Sequence, residues 1–482
     1  MYAEAAGIAR VLPLAVAVPV DAEDIVGLVR WSCVTGTPLV PRGSGSSMAG
    51  GAIGPGVVVD LSRLDAIGPV DTTTRRITVG PGALRAKVDA AAAAIGLRFP
   101  VDPSSGAFCT IGGMAATNAA GAHSLRHGSM RPWVTALDCV FHDGARAVVR
   151  RGDPAPPYVG PVERLAVRKN SSGYALGGDF LDLLVGSEGT LAFFVGIELA
   201  LDVRPSATTS VFAAFPTLES AVTGATAARE AGAAACELLD RTFLDFARVD
   251  CPAGTEGVLL IEFEDARRGV NLAGATKVTV ASEAHAQRAL WDLRHAASPI
   301  LTGLDPSLKS MQFIEDGCVP PAGLAEYVRG VRAALAAQNV RGVIFGHAGD
   351  AHVHVNPLID TRDPSWRDRV AALLADVVAL TGRLGGTLSG EHGDGRLRAP
   401  LLDAIWQRST LEQFAAVKTA LDPDRRLNPG VKVPLSGERP LGDIKYDPAL
   451  EPPPAAAKRA LARVERDRAY ATPRLTLLAE TS

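Results

Sequence analysis

The sequence lacks several features that mark common protein classes. Its six cysteines, at positions 33, 109, 139, 236, 251 and 318, include no Cys-x-x-Cys pair, which argues against an iron–sulfur cluster or a zinc ribbon within the chain. It has no long run of basic residues, and its net charge is −3, so we do not expect it to bind nucleic acid. Charged residues, glycine or proline interrupt the longest apolar stretches, so we expect no transmembrane helix.

Histidine is also scarce, and four of the nine histidines lie in two short glycine-rich stretches, residues 346–356 and 389–395. The first stretch is predicted to be two strands joined by a turn at Gly349-Asp350. Because side chains alternate along a strand, one face carries His352, His354 and Asn356, and the turn brings His347 back beside them. Two of these imidazoles and the carboxylate of Glu391 suit a borderline metal such as Zn²⁺. The alternative is a set of unrelated polar turn residues.

Three glycine-rich tracts form a second pattern, at residues 41–47, 110–121 and 186–190. Glycine lets the backbone approach a ligand closely, and successive N–H groups in such a turn can hold phosphate oxygens. The spacing is neither Gly-x-Gly-x-x-Gly nor a Walker A box, so the usual Rossmann and P-loop interpretations fail. Each tract alone could be a packed turn, but three together favour one large, extended ligand.

The predicted elements divide the chain into two regions with different patterns of secondary structure. Residues up to about 205 read as a mixed α+β unit rich in tight turns. Beyond them, predicted strands alternate with helices, which indicates an α+β sheet covered on one face. These strands are 211–215, 257–263, 311–315 and 343–346, and the helices are 218–231, 283–295, 322–337 and 364–384. A last helix is predicted over 410–421. The tail after Val433 is rich in proline and charge and is expected to be a surface strap or partly disordered.

Six motifs together resemble a known flavoprotein family. They are Pro41-Arg42-Gly43-Ser44-Gly45, Ile111-Gly-Gly-Met-Ala-Ala-Thr-Asn118, Val185-Gly-Ser-Glu-Gly-Thr190, Gly346-His-Ala-Gly-Asp350, Ser389-Gly-Glu-His-Gly393 and Leu427-Asn428-Pro429-Gly430. In this order they resemble the vanillyl-alcohol oxidase/p-cresol methylhydroxylase superfamily. Within it, the chain is similar to the branch of D-lactate dehydrogenase, the glycolate oxidase flavin subunit and D-2-hydroxyglutarate dehydrogenase. The resemblance covers residues 10 to 433.

The resemblance implies an α+β fold with non-covalent FAD, since no histidine occurs in the first loop, where some relatives attach flavin. It implies a two-subdomain FAD-binding domain of the p-cresol methylhydroxylase type at 1–205 and a cap domain with a ferredoxin-like sheet at 206–415. A return to the FAD domain at 416–433 and a surface tail at 434–482 complete the expected organisation. The implied FAD-binding residues are Pro41, Arg42, Gly43, Ser44, Gly45, Ser46, Ser47, Pro103, Thr110, Gly112, Gly113, Asn118, Gly121, Glu188, Gly189 and Asn428.

The resemblance also assigns roles around the histidines. His347, His354 and Glu391 would bind a divalent metal, with Zn²⁺ expected and Mn²⁺ or Fe²⁺ as alternatives. His392 would be the catalytic base. Arg294, Ser298 and Lys309 would hold the substrate carboxylate, and Asn356 would contact the substrate. The family often has asparagine where this chain has His352, which leaves that residue open as a metal ligand or a substrate contact.

These roles predict oxidation of a D-2-hydroxy acid to the 2-oxo acid, with electrons passed to a separate acceptor such as an iron–sulfur protein subunit, a quinone or a cytochrome. A homodimer is also compatible with the sequence. The start, Met1-Tyr2-Ala3-Glu4, has no basic region, so we expect no signal peptide and a cytoplasmic location, with peripheral contact at the inner membrane face as an alternative. Two other functions stay open: a zinc-dependent hydrolase that uses His347, His354 and Glu391, and a non-catalytic flavin subunit of a larger complex.

Overall fold

The computed structural model describes residues 1–156, 164–267, 270–295 and 307–481. Its first sheet is parallel, in the order β1-β3-β2, with strands β1 (Ala15–Ala17), β2 (Leu39–Arg42) and β3 (Val57–Asp60). Helix α1 (Ala22–Thr35) connects β1 to β2. Asp21 caps its first turn by accepting a hydrogen bond from the Asp24 N–H at 2.9 Å, and Gly36 ends it with a φ of 70°. The helix therefore has a capping residue at each end.

A second sheet is antiparallel, in the order β4-β8-β6-β7, and β5 pairs with β9 beside it. The strands are β4 (Arg76–Val79), β5 (Leu97–Arg98), β6 (Val134–Val140), β7 (Arg146–Arg150), β8 (Phe193–Ala200) and β9 (Asp202–Val203). The helices of this region are α2 (Arg85–Ala93), α3 (Ile111–Thr117), α4 (Ser124–His127) and α5 (Phe180–Leu184). Helix α3 lies inside the second glycine-rich tract and is capped by Thr110. Its apolar side, Ile111 and Met114, packs into the core of this sheet.

The third sheet has eight strands, ordered β13-β10-β12-β11-β16-β17-β14, with β15 paired to β17. They are β10 (Thr209–Phe215), β11 (Ala235–Asp240), β12 (Gly257–Phe263), β13 (Lys277–Ala281), β14 (Leu308–Ser310), β15 (Gly317–Cys318), β16 (Arg341–Gly346) and β17 (His352–Asp360). The accompanying helices are α6 (Leu218–Glu230), α7 (Arg241–Ala247), α8 (Ala284–His295), α9 (Leu324–Ala337) and α10 (Trp366–Arg383).

Two expectations for this sheet are wrong. Helices α6, α9 and α10 cover one face, but α7 and α8 pack on the other, because every residue of β10 is buried and both of its faces are apolar. The strand predicted at 311–315 does not form. The chain there is irregular between β14 and β15, although Met311 and Phe313 are buried, because Glu315 and Asp316 turn toward the histidine cluster.

The remaining helices are α11 (Gly395–Arg398), α12 (Arg408–Leu421), α13 (Ala455–Asp467) and α14 (Arg474–Thr481). The last two lie in the tail that was expected to be a strap, which is helical over these residues. No helix within the described ranges combines the length and apolar character that a membrane crossing requires. Taken together, the interleaved helices and sheets confirm the α+β class.

Candidate active site

The hairpin predicted around Gly349-Asp350 is present. Strand β16 ends at Gly346, a short 3-10 turn spans Ala348–Asp350, and β17 begins at His352. Gly346 has a φ of 148°, and a Cβ there would lie 2.7 Å from the Cα of Val353. Only glycine fits this close approach of the two strands. The hairpin therefore brings His347 beside the β17 histidines, and its ring centroid is 5.1 Å from that of His354.

Three side chains point their donor atoms at one another. The Nε2 atoms of His347 and His354 lie 3.1 Å and 3.4 Å from Glu391 Oε1, and they are 3.3 Å apart. All three residues are buried. Two imidazole nitrogens and a carboxylate oxygen around one point form a donor set that suits a divalent metal. The structure thus brings together the three residues that the sequence singled out.

The outer atoms of this triad are held by other residues. His347 Nδ1 is 2.5 Å from Glu237 Oε1, and His354 Nδ1 is 2.8 Å from the carbonyl oxygen of Glu315. Lys169 Nζ donates to Glu391 Oε2 at 2.8 Å. Burial raises the pKa of Glu391, but the charges of Lys169 and His347 outweigh it and hold the pKa well below its usual range. Such partners orient metal-binding side chains and leave their inner atoms free.

His392 stands beside the triad and is more exposed than its members. Its ring stacks on His354 at 5.3 Å, and 26% of its side chain is exposed. Its Nδ1 atom lies 3.3 Å from Glu315 Oε1 and 3.7 Å from Asp316 Oδ1, whereas its Nε2 atom makes no hydrogen bond to a described residue. Burial lowers the pKa of His392, but Asp316 and Glu315 outweigh it and raise the pKa to about 9.

His352 differs from its neighbours because it is fully buried. Its Nε2 atom lies 2.9 Å from Asp316 Oδ1, and its Nδ1 atom has no hydrogen-bond partner. Burial lowers the pKa of His352 to about 3, so the ring is neutral. In turn, Asp316 accepts hydrogen bonds from the backbone N–H groups of Glu391 and His392. His352 therefore anchors the carboxylate that holds the 391–392 loop.

Of the four residues expected to hold the substrate, two line a cavity, one is buried in an ion pair and one lies outside the described residues. Lys309 and Asn356 line a cavity together with His392. Arg294 is buried and donates to Glu237 Oε2 at 2.6 Å, with its guanidinium 4.6 Å from the centre of the Phe345 ring. Ser298 lies outside the described residues. Of the four, Lys309 and Asn356 thus face the same space as His392.

This cavity, of roughly 710 Å³, contacts both the histidine cluster and the glycine-rich tracts. The predicted cofactor residues on its wall are Pro41, Gly43, Ser44, Gly45, Ser46, Ser47, Pro103, Thr110, Gly113 and Glu188. The backbone N–H groups of residues 44–47 donate to no described acceptor, and the buried Ser47 Oγ atom has no partner. Unused donors on a wall of small residues fit a phosphate-bearing ligand.

The other predicted cofactor residues support this wall from behind. A Cβ at Gly112, Gly121 or Gly189 would lie 2.6 Å, 2.3 Å or 2.1 Å from an atom of Pro81, Asp102 or Pro41, respectively. Asn428 donates to the carbonyl oxygens of Gly51 and Glu188. Asn118 accepts from the Arg131 N–H, and Arg42 donates to the carbonyl oxygens of Glu4 and Ala52. Close packing, rather than contact with the cavity, explains why these residues are small or bonded to backbone.

Comparison with known proteins agrees with this arrangement. The family described as "FAD binding domain" matches residues 13–149, and "FAD linked oxidases, C-terminal domain" matches residues 204–431. The chain is 30% identical to the glycolate oxidase subunit GlcD of Bacillus subtilis, over 87% of the chain and 88% of that protein. The chain belongs to the family of FAD-linked oxidases. It is also 30% identical to the D-lactate dehydrogenase of Archaeoglobus fulgidus, over 86% of the chain and 89% of that protein.

A solved structure extends the likeness of this FAD-linked oxidase to its fold. The 4-ethylphenol oxidase of Gulosibacter chungangensis superposes with a TM-score of 0.66 at 15% identity, over 87% of the chain and 88% of that protein. The family matches confirm the resemblance drawn from the six motifs and FAD as the cofactor, and this superposition confirms the implied fold.

Sequence reasoning missed five charged residues of the site. They are Lys169, Glu237, Glu315, Asp316 and Arg398, all buried around the histidines. Arg398 pairs with both Glu315 and Asp316 and so balances two of the buried negative charges. None of the five lies in a glycine-rich stretch or at a ligand spacing, so no local signal identified them.

Proposed function

We propose that this FAD-linked oxidase converts a D-2-hydroxy acid to the 2-oxo acid, with a divalent metal held by His347, His354 and Glu391. The names of two relatives refer to glycolate and lactate, which are both 2-hydroxy acids. The observation that carries the proposal is His392, which lines the cavity beside the metal-type donor set and whose Nε2 atom makes no hydrogen bond to a described residue.

His392 is suited to take the hydroxyl proton. Glu315 faces Nδ1, so the ring proton resides there and Nε2 is the atom that can accept a proton from the substrate. A divalent ion held by the triad would supply a Lewis acid for the substrate oxygens, and its charge would oppose the carboxylates that raise the pKa of His392. FAD, when bound, supplies the acceptor for the hydride from the substrate Cα.

Lys309 and Asn356 are the groups that we assign to substrate orientation. Lys309 offers a positive charge to the substrate carboxylate, and its Nζ atom lies 5.6 Å from the centre of the Tyr446 ring. Asn356 offers an amide on the same strand as His354. Holding a substrate at fixed distance from His392 is itself a large part of the rate enhancement. Arg294 acts through Glu237 and His347, and we assign it to positioning of the metal ligand.

The two electrons leave through a separate acceptor, for which the classes expected from the sequence are unchanged: an iron–sulfur protein subunit, a quinone or a cytochrome. The zinc hydrolase alternative uses the same triad but gives no role to the FAD-binding domain match at residues 13–149. A non-catalytic flavin subunit would carry FAD that no 2-hydroxy acid reduces.

The metal is tested with His354→Gln and with the chelated wild type. Both should keep FAD, lose stoichiometric metal by mass spectrometry, and lose oxidation of 2-hydroxy acids by about 10-fold to 100-fold or more. Zn²⁺, Mn²⁺ and Fe²⁺ are then added back separately. One of these ions should restore the activity of the chelated wild type, and none should restore that of the variant. Full activity in metal-free protein would contradict the metal assignment while leaving the flavin assignment intact.

A further inference from the structure

The C-terminal segment, defined here as residues 441–481, lies beyond both family matches, which end at residues 149 and 431. It is nevertheless folded against the body of the protein. Ala460 and Val464 of α13 and Leu477 of α14 form a buried cluster that contacts Met1 and Tyr470. Several of its residues also line the FAD cavity: Tyr446, Ala462, Glu465, Arg466, Arg468 and Tyr470. The segment is therefore one wall of that cavity.

The segment contacts residues 104–108, which precede the second glycine-rich tract. The ring of Tyr470 stacks on Phe108 with centroids 5.1 Å apart and planes 29° apart. The guanidinium of Arg468 lies 4.9 Å from the centre of the Phe108 ring and donates to the carbonyl oxygen of Ser104 at 3.4 Å. Arg468 has a φ of 52°, so the chain leaves α13 by turning sharply toward the cavity.

The segment also contacts the first glycine-rich loop. Arg474 is 4% exposed and donates to the carbonyl oxygen of Ser44 at 3.1 Å, and its Nε atom has no hydrogen-bond partner. Arg42 is buried behind the same loop, and a Cβ at Gly45 would lie 2.2 Å from its Nη2 atom. Neither guanidinium forms an ion pair with a described carboxylate. Two guanidinium groups, which share the nearby carboxylate charge of Asp60, thus stand behind a loop whose N–H groups donate to no described acceptor.

The charges on the cavity wall differ between its two sides. The lining residues that precede position 200 are uncharged apart from Glu188, which is paired with Lys432 at 3.1 Å. On the C-terminal segment, Glu465 is paired with Lys445 at 2.6 Å and Arg466 with Asp467 at 2.7 Å. Among the described residues, Arg468 is the cation on this wall without a carboxylate partner. FAD carries a pyrophosphate with two negative charges, and on the glycine-rich side no described Lys or Arg side chain lines the cavity, since Arg42 is buried behind the first loop.

We propose that the C-terminal segment is an FAD-binding element. Arg468 supplies positive charge to the pyrophosphate, and Tyr470 with Phe108 forms an aromatic wall beside it. Arg474 is a positioning residue that holds the Ser44 turn so that its N–H groups face the phosphates. The proposal depends on the FAD assignment and is independent of the substrate and the metal.

The test is flavin affinity in the full chain, measured by fluorescence titration of FAD-depleted protein. Arg468→Gln and Arg474→Gln should each weaken FAD binding by roughly 10-fold, the scale of one charge-assisted contact. Their affinity for riboflavin, which lacks the pyrophosphate, should match that of the wild type. Arg408→Gln is the matched control, because that side chain is 92% exposed and far along the chain from the segment. The control should bind both flavins like the wild type.

Two results would overturn the proposal. If Arg468→Gln binds FAD within twofold of the wild-type affinity, Arg468 does not interact electrostatically with the pyrophosphate. An equal loss of riboflavin and FAD affinity would show that the segment acts only through folding. The melting temperature of the FAD-free protein is recorded in parallel, and if Arg474→Gln unfolds early, the Arg468→Gln result alone decides.

Discussion

At the scale of single residues, His392 is the side chain whose loss should separate chemistry from binding. His392→Ala should lower the rate of flavin reduction by 2-hydroxy acid by about 10²-fold to 10⁴-fold, because the variant has no group to accept the hydroxyl proton. FAD content should stay at the wild-type level, since the described hydrogen bonds of His392 go to Glu315 and Asp316 and not to the glycine-rich tracts. Stopped-flow absorbance without oxygen measures the rate directly.

The matched control is His285→Ala, which removes an exposed histidine of α8. It should reduce flavin at the wild-type rate. If His392→Ala also did so, the assignment of the base would be wrong, whatever the metal content.

The same scale shows where reasoning from sequence stops. His347, His354 and Glu391 could be identified because they lie in glycine-rich stretches with ligand-like residue types. Lys169 could not, because it contacts Glu391 across 222 residues of sequence, and a lysine between Arg168 and Asn170 carries no local pattern. Tertiary packing determines which residues form a buried ion pair. Residues such as Glu237 and Asp316 can therefore be recognised as part of the site only from the folded structure.

At the scale of elements, the β16–β17 hairpin positions His347 beside His354. In Gly346→Ala, the added Cβ would lie 2.7 Å from the Cα of Val353 and 2.8 Å from the carbonyl oxygen of His352. Because backbone cannot move aside cheaply, we expect a loss of about 3 kcal/mol in the free energy of unfolding. His347 and His354 should separate, and bound metal should fall with stability. Chemical denaturation and metal analysis measure the two effects.

Gly442→Ala serves as the control for this prediction, because no atom lies within 4 Å of a Cβ at that position. It should leave stability and metal content unchanged. A Gly346→Ala protein as stable and as metal-loaded as the control would show that the hairpin geometry does not position the ligands.

Elements with strong local signals were predictable, and elements set by their surroundings were not. Helix α1 has a capping aspartate and a terminal glycine, and the β16–β17 hairpin has alternation and a Gly-Asp turn. Residues 311–315 read as a strand, but within the described part of this stretch it is the flanking β14 and β15 that pair with β17. The helix α13 follows a proline-rich stretch, and its apolar residues are buried only by contact with the N-terminus and α14.

At the scale of the whole molecule, His123 links Asp102, which precedes the second glycine-rich tract, to Glu262 of the eight-stranded sheet. Its Nδ1 atom is 2.5 Å from Asp102 Oδ2 and its Nε2 atom is 2.8 Å from Glu262 Oε1. Burial lowers the pKa of His123, but Asp102 and Glu262 outweigh it and raise the pKa well above its usual value. A raised pKa stabilises the fold most below the unfolded value, about pH 6.5, and the benefit is lost as the pH rises through the folded value.

The prediction compares wild type with His123→Gln in thermal unfolding from about pH 6 to about pH 9. The melting temperature of the wild type should exceed that of the variant most at the acidic end, and the difference between the two should shrink as the pH rises. His285→Gln should show no such trend. A stability difference that stays constant across this range would mean that His123 bridges the two carboxylates without carrying a charge.

In the proposed function, one cavity holds FAD, a metal and a 2-hydroxy acid within reach of His392. The most direct test is the visible spectrum of the purified protein without oxygen, before and after addition of D-2-hydroxy acids, with the L-enantiomers as controls. We predict a flavin band that bleaches with at least one D-acid and with none of its L-enantiomers. A flavin band that no 2-hydroxy acid bleaches would contradict the proposed reaction and favour a non-catalytic flavin subunit.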